Sequence, residues 1–362
     1  MNDVVDYTQD ALRTHVRPLL RLAVAEDCHL GDVTTETILA GLHHQKSDAK
    51  SVTAVQTTSS PVTEETTHKD LSKQARAELI AEEELVFCGE FWFRETFAYA
   101  PTLSSRDTTQ DNEITFFKNE GDRVAKGEKI ATIVTQAKTL LTYERIALNG
   151  VQHFSGIATL TASYVNVLNE TSTLITDTRK TTPGYRLLEK YAVHIGGGSN
   201  HRFSLSDAFL IKDNHINLVG DIKKAVTIVL TARSKNTALA SLPLVIECSS
   251  LHELKELISI GFSKSQSQLS EYTSEHTDGA NPLINPLTLH SEDYVLLDNF
   301  NHQDLTQALK MIENRMRVEV SGGIGLADMS RLRTLSFYID RISIGALTHS
   351  VKAADISMDI TF

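Results

Sequence analysis

The sequence predicts an α/β chain whose larger, C-terminal part is a parallel (β/α) barrel. Three observations predict it. From residue 174 onward one unit recurs: a short β-rich run, a polar or charged residue at its C-terminal end, then an amphipathic helix. Alternating strands and helices of this length imply a parallel sheet. The spacing of the strand ends supports closure. Asp177 to Lys212 and Lys212 to Glu247 are each 35 residues, Asp298 to Ser321 is 23 and Ser321 to Gly345 is 24, values that bracket the roughly 30 residues of one barrel unit. Finally, every candidate polar residue falls at the C-terminal end of a strand, the face on which such barrels carry their active sites.

The elements follow in order. The start, MNDVVDYTQD, is acidic and lacks an apolar core, so no secretory signal is expected. A helix is expected over roughly 8–25. Residues 43–73 are rich in Ser and Thr without apolar periodicity, a composition that cannot bury enough surface to offset its ordering entropy. Segments 104–113 and 263–291 read as further polar insertions. The run ITFFKNEGDRVAKGEKIATIVTQAKTLL, with Gly121 and Gly127 between β-rich stretches, reads as strand–turn–strand. It shares turn chemistry with biotinyl and lipoyl carrier domains but lacks their apolar-Lys-apolar tip, so Lys138 is expected to be an ordinary solvated lysine. The pattern turns helical over about 141–168.

The strand runs are then LIT (174–176), AFLI (208–211), LVI (244–246), YVLL (294–297), RVEV (317–320) and RISI (341–344). Leu187/Leu188/Tyr191/Ile195, Leu251/Leu254/Leu257/Ile258 and Leu305/Ala308/Leu309/Ile312 keep helical spacing between them. Gly196-Gly197-Gly198 follows a helix and not a strand, so it makes no dinucleotide fingerprint. It is expected to end that helix and turn the chain toward His201-Arg202.

Composition narrows the function classes. The 362 residues are 41% hydrophobic and 22% charged, with no apolar run near the length of a membrane span. Net charge is −11, opposite to the balance of a duplex-binding protein. A small anionic substrate remains compatible, because a basic pocket can sit inside an acidic shell. Cys28, Cys88 and Cys248 are too scattered for a disulfide framework or a CxxC metal site. The expectation is a cytoplasmic protein that binds neither nucleic acid nor membrane.

The strand ends supply the chemistry. Arg179-Lys180, His201-Arg202 and Lys212 read as a basic set on three successive βα connections, with Arg145 on the preceding helix. Guanidinium forks bind carboxylates bidentately, so several arginines suit a substrate with more than one carboxylate. The competing reading is ordinary ion pairing with Asp177, Asp207 or Asp213. Glu247 and Asp298 end two other strands, where paired acids hold a divalent ion or sugar hydroxyls. Ser321-Gly322-Gly323 and Gly345-Ala346 let backbone N–H groups approach an anion, as late βα loops of phosphate-binding barrels do. The histidines show no zinc spacing; His215 and His349 are expected to be hydrogen-bonded structural residues, and Cys248 to be buried and inert.

Several strings carry a family resemblance: DCHLGDVTTETI (27–38), ERIALNGVQHFSGIATLT (144–161), DTRKTTPGYRLLEKYAVHIGGGSNHRFSLSDAFLIKDNHI (177–216), ECSS (247–250), LLDNF (296–300), EVSGGI (319–324) and ISIGALTHS (342–350). Together they resemble the quinolinate phosphoribosyltransferase family, the carboxylating nicotinate-nucleotide pyrophosphorylases of NAD biosynthesis. The resemblance implies an N-terminal α/β sandwich (1–145), an incomplete α/β barrel of type II phosphoribosyltransferase form (146–350) and a C-terminal tail (351–362) that packs back on the N-terminal domain. It implies a homodimer, or an assembly of dimers, with sites at the interface, where Arg145 would reach quinolinate from the neighbouring subunit. In cis, Thr178, Arg179, His201 and Arg202 would hold the substrate, and Lys180 and Lys212 would contact substrate and pyrophosphate. Glu247 and Asp298 would serve the ribose and Mg²⁺, directly or through the substrate. Ser321, Gly322, Gly323, Ile344, Gly345 and Ala346 would cradle the 5′-phosphate. Lys180, Lys212, Glu247 and Asp298 are the implied catalytic residues. Ser199 departs from the family pattern, in which His is expected. The implied reaction takes quinolinate and phosphoribosyl pyrophosphate to nicotinate mononucleotide, pyrophosphate and CO₂. Two other readings remain at this stage: a nicotinate-using type II phosphoribosyltransferase, and a non-catalytic carrier or scaffold built around 114–141.

Overall fold

The computed structural model describes residues 7–28, 31–39, 41, 74–104, 112–260, 289 and 293–362. The expected insertions at 43–73, 104–113 and 263–291 therefore lie wholly or largely outside the described residues. Contacts divide the chain into two compact units. One comprises the described residues from Tyr7 to Leu160 with Leu187–Gly196 and Val351–Phe362; the other comprises Thr161–Arg186 with Gly197–Ser350. The sequence reading cuts the chain at 145/146. By contacts the division falls at Leu160/Thr161, inside a helix that runs unbroken from Ala137 to Val167.

In the first unit, α1 (Gln9–Asp27) buries Leu12, Val16, Leu20 and Val24, one residue per turn on one face. Its Arg13 and Arg17 both reach Glu95 of α2 (Glu90–Ser104), at 2.7 and 2.9 Å. The sheet is antiparallel in the order β12-β1-β5-β3, from Ile356–Thr361, Gln74–Ala81, Lys129–Gln136 and Glu113–Phe116. In β1 the buried positions alternate as Ala75, Ala77, Leu79 and Ala81, one face of the strand. Strands β2 (Leu85–Val86) and β4 (Arg123–Val124) form a separate pair. The 114–141 segment thus contributes strands, as its turn chemistry predicts. Helix α3 (Ala137–Val167) presents Gly150 to the Trp92 indole; a Cβ there would overlap the ring.

Helix α4 (Arg186–Ile195) corrects one expectation. Its buried residues are Leu188, Glu189, Lys190, Ala192 and Val193, and of the predicted apolar stripe only Leu188 is fully buried. Two charged residues face inward, and Glu189 is met by His153 Nε2 at 3.0 Å.

The second unit holds six parallel strands: β6 (Leu174–Thr176), β7 (Phe209–Ile211), β8 (Leu244–Cys248), β9 (Tyr294–Asp298), β10 (Arg317–Ser321) and β11 (Arg341–Ser343). Their order is β6-β11-β10-β9-β8-β7. Five strands neighbour one another in sequence order, the last pairs with the first, and β6 and β7 stand at the two edges. This is an incomplete barrel. The outward residues Val295, Leu297, Val318, Val320 and Ile342 are buried, as are the helix faces Leu254/Leu257 of α8 (Leu251–Ile258) and Leu305/Ala308/Leu309/Ile312 of α9 (His302–Ile312). Between β7 and β8 lie α5 (Asp213–Val219), α6 (Ile222–Lys235) and α7 (Thr237–Ala240). Inside the barrel, Val245, Tyr294 and Leu296 pack together with Leu210.

One buried pair fixes the N-terminal ends of β8 and β9. Arg233 of α6 contacts both oxygens of the fully buried Asp293, at 3.0 and 2.9 Å, and Asp293 also accepts from the Leu244 amide at 3.0 Å. Removing one member of a buried pair strands the other charge. Asp293→Ala is therefore expected to cost about 3–5 kcal/mol, read from the urea midpoint of the barrel's unfolding transition.

Candidate active site

The C-terminal ends of all six strands open into one cavity of about 840 Å³, within the range of small-molecule sites. Every candidate residue from the sequence lines it except Arg145, which is exposed on α3. Side chains two apart on a strand share a face, so Leu210 and Lys212, Leu296 and Asp298, and Glu319 and Ser321 enter the cavity as pairs.

The basic residues are arranged differently from the sequence expectation. Arg179, Lys180, His201 and Arg202 lie on a single connection, the long one between the edge strands β6 and β7, and only Lys212 follows a further strand. Asp177, fully buried, holds that connection together. It accepts from Asn200 Nδ2 at 2.7 Å and from the His201 amide at 2.9 Å, while Ser199 makes a one-residue parallel bridge to Thr176. Gly197, at φ +87°, supplies the turn out of α4 that allows this return. Asp177 is thus a backbone clamp, and Asp207 accepts from the Phe203 and Ser204 amides.

The result is a pair of guanidiniums with little internal compensation. Arg179 Nε is buried and has no hydrogen-bond partner. Arg202 donates to the Ala208 carbonyl at 3.0 Å, and burial followed by the nearby charge of Arg179 lowers its affinity for a proton, with Asp207 opposing. Two like charges held this way favour an anion that can pair with both.

Across the cavity the sign reverses. Burial raises the Glu247 carboxyl above its ordinary value; Asp298 and Asp213 push the same way, and Lys212, 3.2 Å from Glu247, pulls against them. Ser321 donates to Asp298, and Asn299, itself at φ +57°, donates to the other Asp298 oxygen at 2.6 Å. Gly322, at φ +99°, lies so close to Asn299 that a Cβ would strike its backbone nitrogen. Gly345 sits beneath the Lys180 stem and the His349 ring.

The cavity also contains residues the motifs did not single out: Tyr164, Asn299, Glu319, Ser343 and His349. Strand parity would have found Glu319 and Ser343, two positions before Ser321 and two before Gly345. His349 bonds Ser350 through Nδ1 yet lines the cavity, whereas His215 accepts from the Lys212 amide as expected of a structural histidine. Cys248 is fully buried, and burial pushes its thiol up, consistent with an inert role. Among the described residues no cluster of three or more His, Cys, Asp or Glu could hold a metal alone.

The floor of the cavity is ionic. Glu319 and Arg341 are cross-strand partners, both at most 4% exposed, with Arg341 Nε donating to Glu319 at 2.8 Å. Arg341 also lies over the Tyr294 ring, 3.8 Å from its centroid.

Comparison with known proteins decides the lineage. Residues 157–359 match the quinolinate phosphoribosyl transferase C-terminal domain, and residues 32–155 match the N-terminal domain of the same family. The chain belongs to the quinolinate phosphoribosyltransferase family. A probable nicotinate-nucleotide pyrophosphorylase (carboxylating) from Bacillus subtilis (strain 168) is 34% identical over 289 residues, covering 80% of this chain and 84% of the relative. A probable enzyme of the same name from Methanocaldococcus jannaschii is 35% identical, over 68% of this chain and 80% of the relative. The crystal structure of NadC from Streptococcus pyogenes has a TM-score of 0.70 at 32% identity, covering 96% of this chain and 98% of that one. Membership makes the chain an enzyme, a pentosyltransferase, and agrees with the expected combination of N-terminal sandwich and incomplete barrel.

The ionic floor gives a pH prediction. Burial alone would raise the Glu319 carboxyl, but His201 and Arg341, with the Ser343 hydroxyl, hold it down at about 2. A carboxyl depressed on folding stabilises the native state above its unfolded value, near 4.3, and that contribution disappears as pH falls through the folded value. Wild type is expected to lose about 3 kcal/mol between pH 5 and 2 that a Glu319→Leu/Arg341→Met double variant does not lose. Urea titrations of both proteins across that window check it.

Proposed function

We propose that the enzyme transfers the phosphoribosyl group of phosphoribosyl pyrophosphate to quinolinate with loss of CO₂, giving nicotinate mononucleotide and pyrophosphate. The observation that carries this reading is the Arg179–Arg202 pair: two neighbouring guanidiniums, one with a buried and unpartnered Nε, facing one cavity. Adjacent carboxylates on one ring match them; a monocarboxylate leaves one charge uncompensated. The glycine-bearing loops at 321–323 and 344–346 suit the 5′-phosphate, and Lys180, with its stem over Gly345, suits the pyrophosphate.

The two acids fit Mg²⁺. Glu247 and Asp298 repel each other's charge, Lys212 offsets that of Glu247, and Mg²⁺ is commonly held by one or two carboxylates with substrate phosphates and waters completing its shell. When bound there, the ion would supply neutralisation of the developing pyrophosphate charge. Glu247 and Asp298 would otherwise accept hydrogen bonds from the ribose hydroxyls.

The chemistry then needs orientation and charge compensation and no covalent nucleophile. The C1′–O bond breaks with its electron pair leaving on pyrophosphate, beside Lys180 and Lys212. The pyridine nitrogen, aimed by its carboxylates in the Arg179–Arg202 fork, closes the new C1′–N bond. Nitrogen so quaternised stabilises the electron pair left at C2 when the adjacent carboxylate departs as CO₂, and a solvent proton fills that position.

A product assay with Mg²⁺, phosphoribosyl pyrophosphate and either pyridine acid tests the reading. Nicotinate mononucleotide and equimolar CO₂ are expected from quinolinate, with kcat/KM falling about 100-fold or more in Arg202→Ala. Product from nicotinate in place of quinolinate overturns it. We also propose a homodimer in the cytoplasm, with Arg145, exposed on α3, reaching the neighbouring subunit's site. Mixing inactive Arg145→Ala with inactive Lys212→Ala subunits should then restore part of the activity. No recovery despite demonstrated subunit exchange contradicts a shared site.

A further inference from the structure

Charged residues buried on the inward face of barrel strands need a reason. Arg341 and Glu319 occupy inward positions where aliphatic side chains would pack without a desolvation cost. Glu319 Oε2 receives Arg341. Oε1 is buried without a well-aligned hydrogen bond, and the group facing it is His201 Nε2, at 3.3 Å. Arg341 Nη2 lies 3.3 Å from the same nitrogen.

The other ring nitrogen settles which atom carries the proton. The Arg202 amide donates to His201 Nδ1 at 2.7 Å, so Nδ1 must present its lone pair. The ring proton is then on Nε2, where Glu319 can accept it and the Arg341 guanidinium cannot. His201 is only 7% exposed, and its own amide is tied to Asp177. Ring and backbone are thus both committed to the protein, in a chain from Arg341 through Glu319 and His201 to the peptide of Arg202.

We propose that Glu319 and Arg341 are positioning residues for dicarboxylate binding: they lock His201 as its Nε2–H tautomer, and His201 in turn sets Arg202. The inference rests on the reading of the Arg179–Arg202 pair as a dicarboxylate site. It gives His201 a role in setting Arg202 beside the substrate contact that family resemblance implies. Freed from Glu319, the ring could exchange tautomers or rotate, the Arg202 amide would lose a fixed acceptor, and its fork would lose register with Arg179.

Nitrogen NMR of the whole enzyme labelled at its histidine rings tests this, with the His201 signals assigned by their absence in His201→Gln. Protonated Nε2 and bare Nδ1, unaltered by saturating quinolinate, are expected. A proton on Nδ1, or a tautomer change on adding quinolinate, overturns the proposal. The Glu319→Leu/Arg341→Met variant removes both charges together, a replacement that buried pairs often tolerate. It should lose the single-tautomer signature and raise KM for quinolinate about tenfold, leaving KM for phosphoribosyl pyrophosphate within about twofold. A folded variant with both KM values unchanged refutes the positioning role. If that variant does not fold, Arg341→Lys keeps the charge without the fork and should raise the same KM about threefold; an unchanged KM there counts against the proposal equally. Wild type that does not turn quinolinate over would sink the reading of the pocket, while the tautomer is judged on its own spectrum.

Discussion

Alternation along six parallel strands is the constraint on which the site depends. Each strand can send only every second side chain inward, and the last inward position meets solvent at the C-terminal end. Lys212, Glu247, Asp298 and Ser321 therefore converge from strands far apart in sequence, and nothing more than strand register is needed to bring them together. The same rule puts Tyr294, Glu319 and Arg341 underneath, where the interior is partly ionic.

The gap between β6 and β7 matters as much as the strands that pair. Consecutive strands that do not pair leave the intervening chain free to turn back across the cavity edge, and the sequence uses that freedom for Arg179, Lys180, His201 and Arg202. A single buried carboxylate, Asp177, fastens the outgoing and returning legs. Cationic and acidic halves of the cavity are then separated by geometry, with Lys212 and Glu247 as the pair that joins them. This separation suits the proposed reaction, in which an anionic ring acid bonds to a ribosyl carbon as pyrophosphate departs.

Much of this was legible in the sequence. The strand runs LIT and LVI mark β6 and most of β8, and the polar residue ending each run is the one that reaches the cavity or clamps it. Helix α9 buries the four residues its spacing marks. What escaped had a physical cause in each case. The sequence spreads Arg179-Lys180, His201-Arg202 and Lys212 widely enough to suggest three connections, but no strand run separates the first two pairs, and Ser199 makes only a one-residue bridge to Thr176. On α4 the inward face includes Glu189 and Lys190, and hydrophobic periodicity is blind to charges that are partnered inside. Glu319 was hidden in the β-rich run RVEV, where alternation puts it on the face of Ser321.

In the proposed function the Arg179–Arg202 pair selects a dicarboxylate. Calorimetric titration of the ligand-free enzyme with quinolinate and with nicotinate tests it most directly, because binding is read without turnover. Loss of one buried charge-assisted contact predicts at least about 100-fold weaker binding of nicotinate, with the quinolinate affinity falling as salt rises. Equal affinities for the two acids would contradict the account.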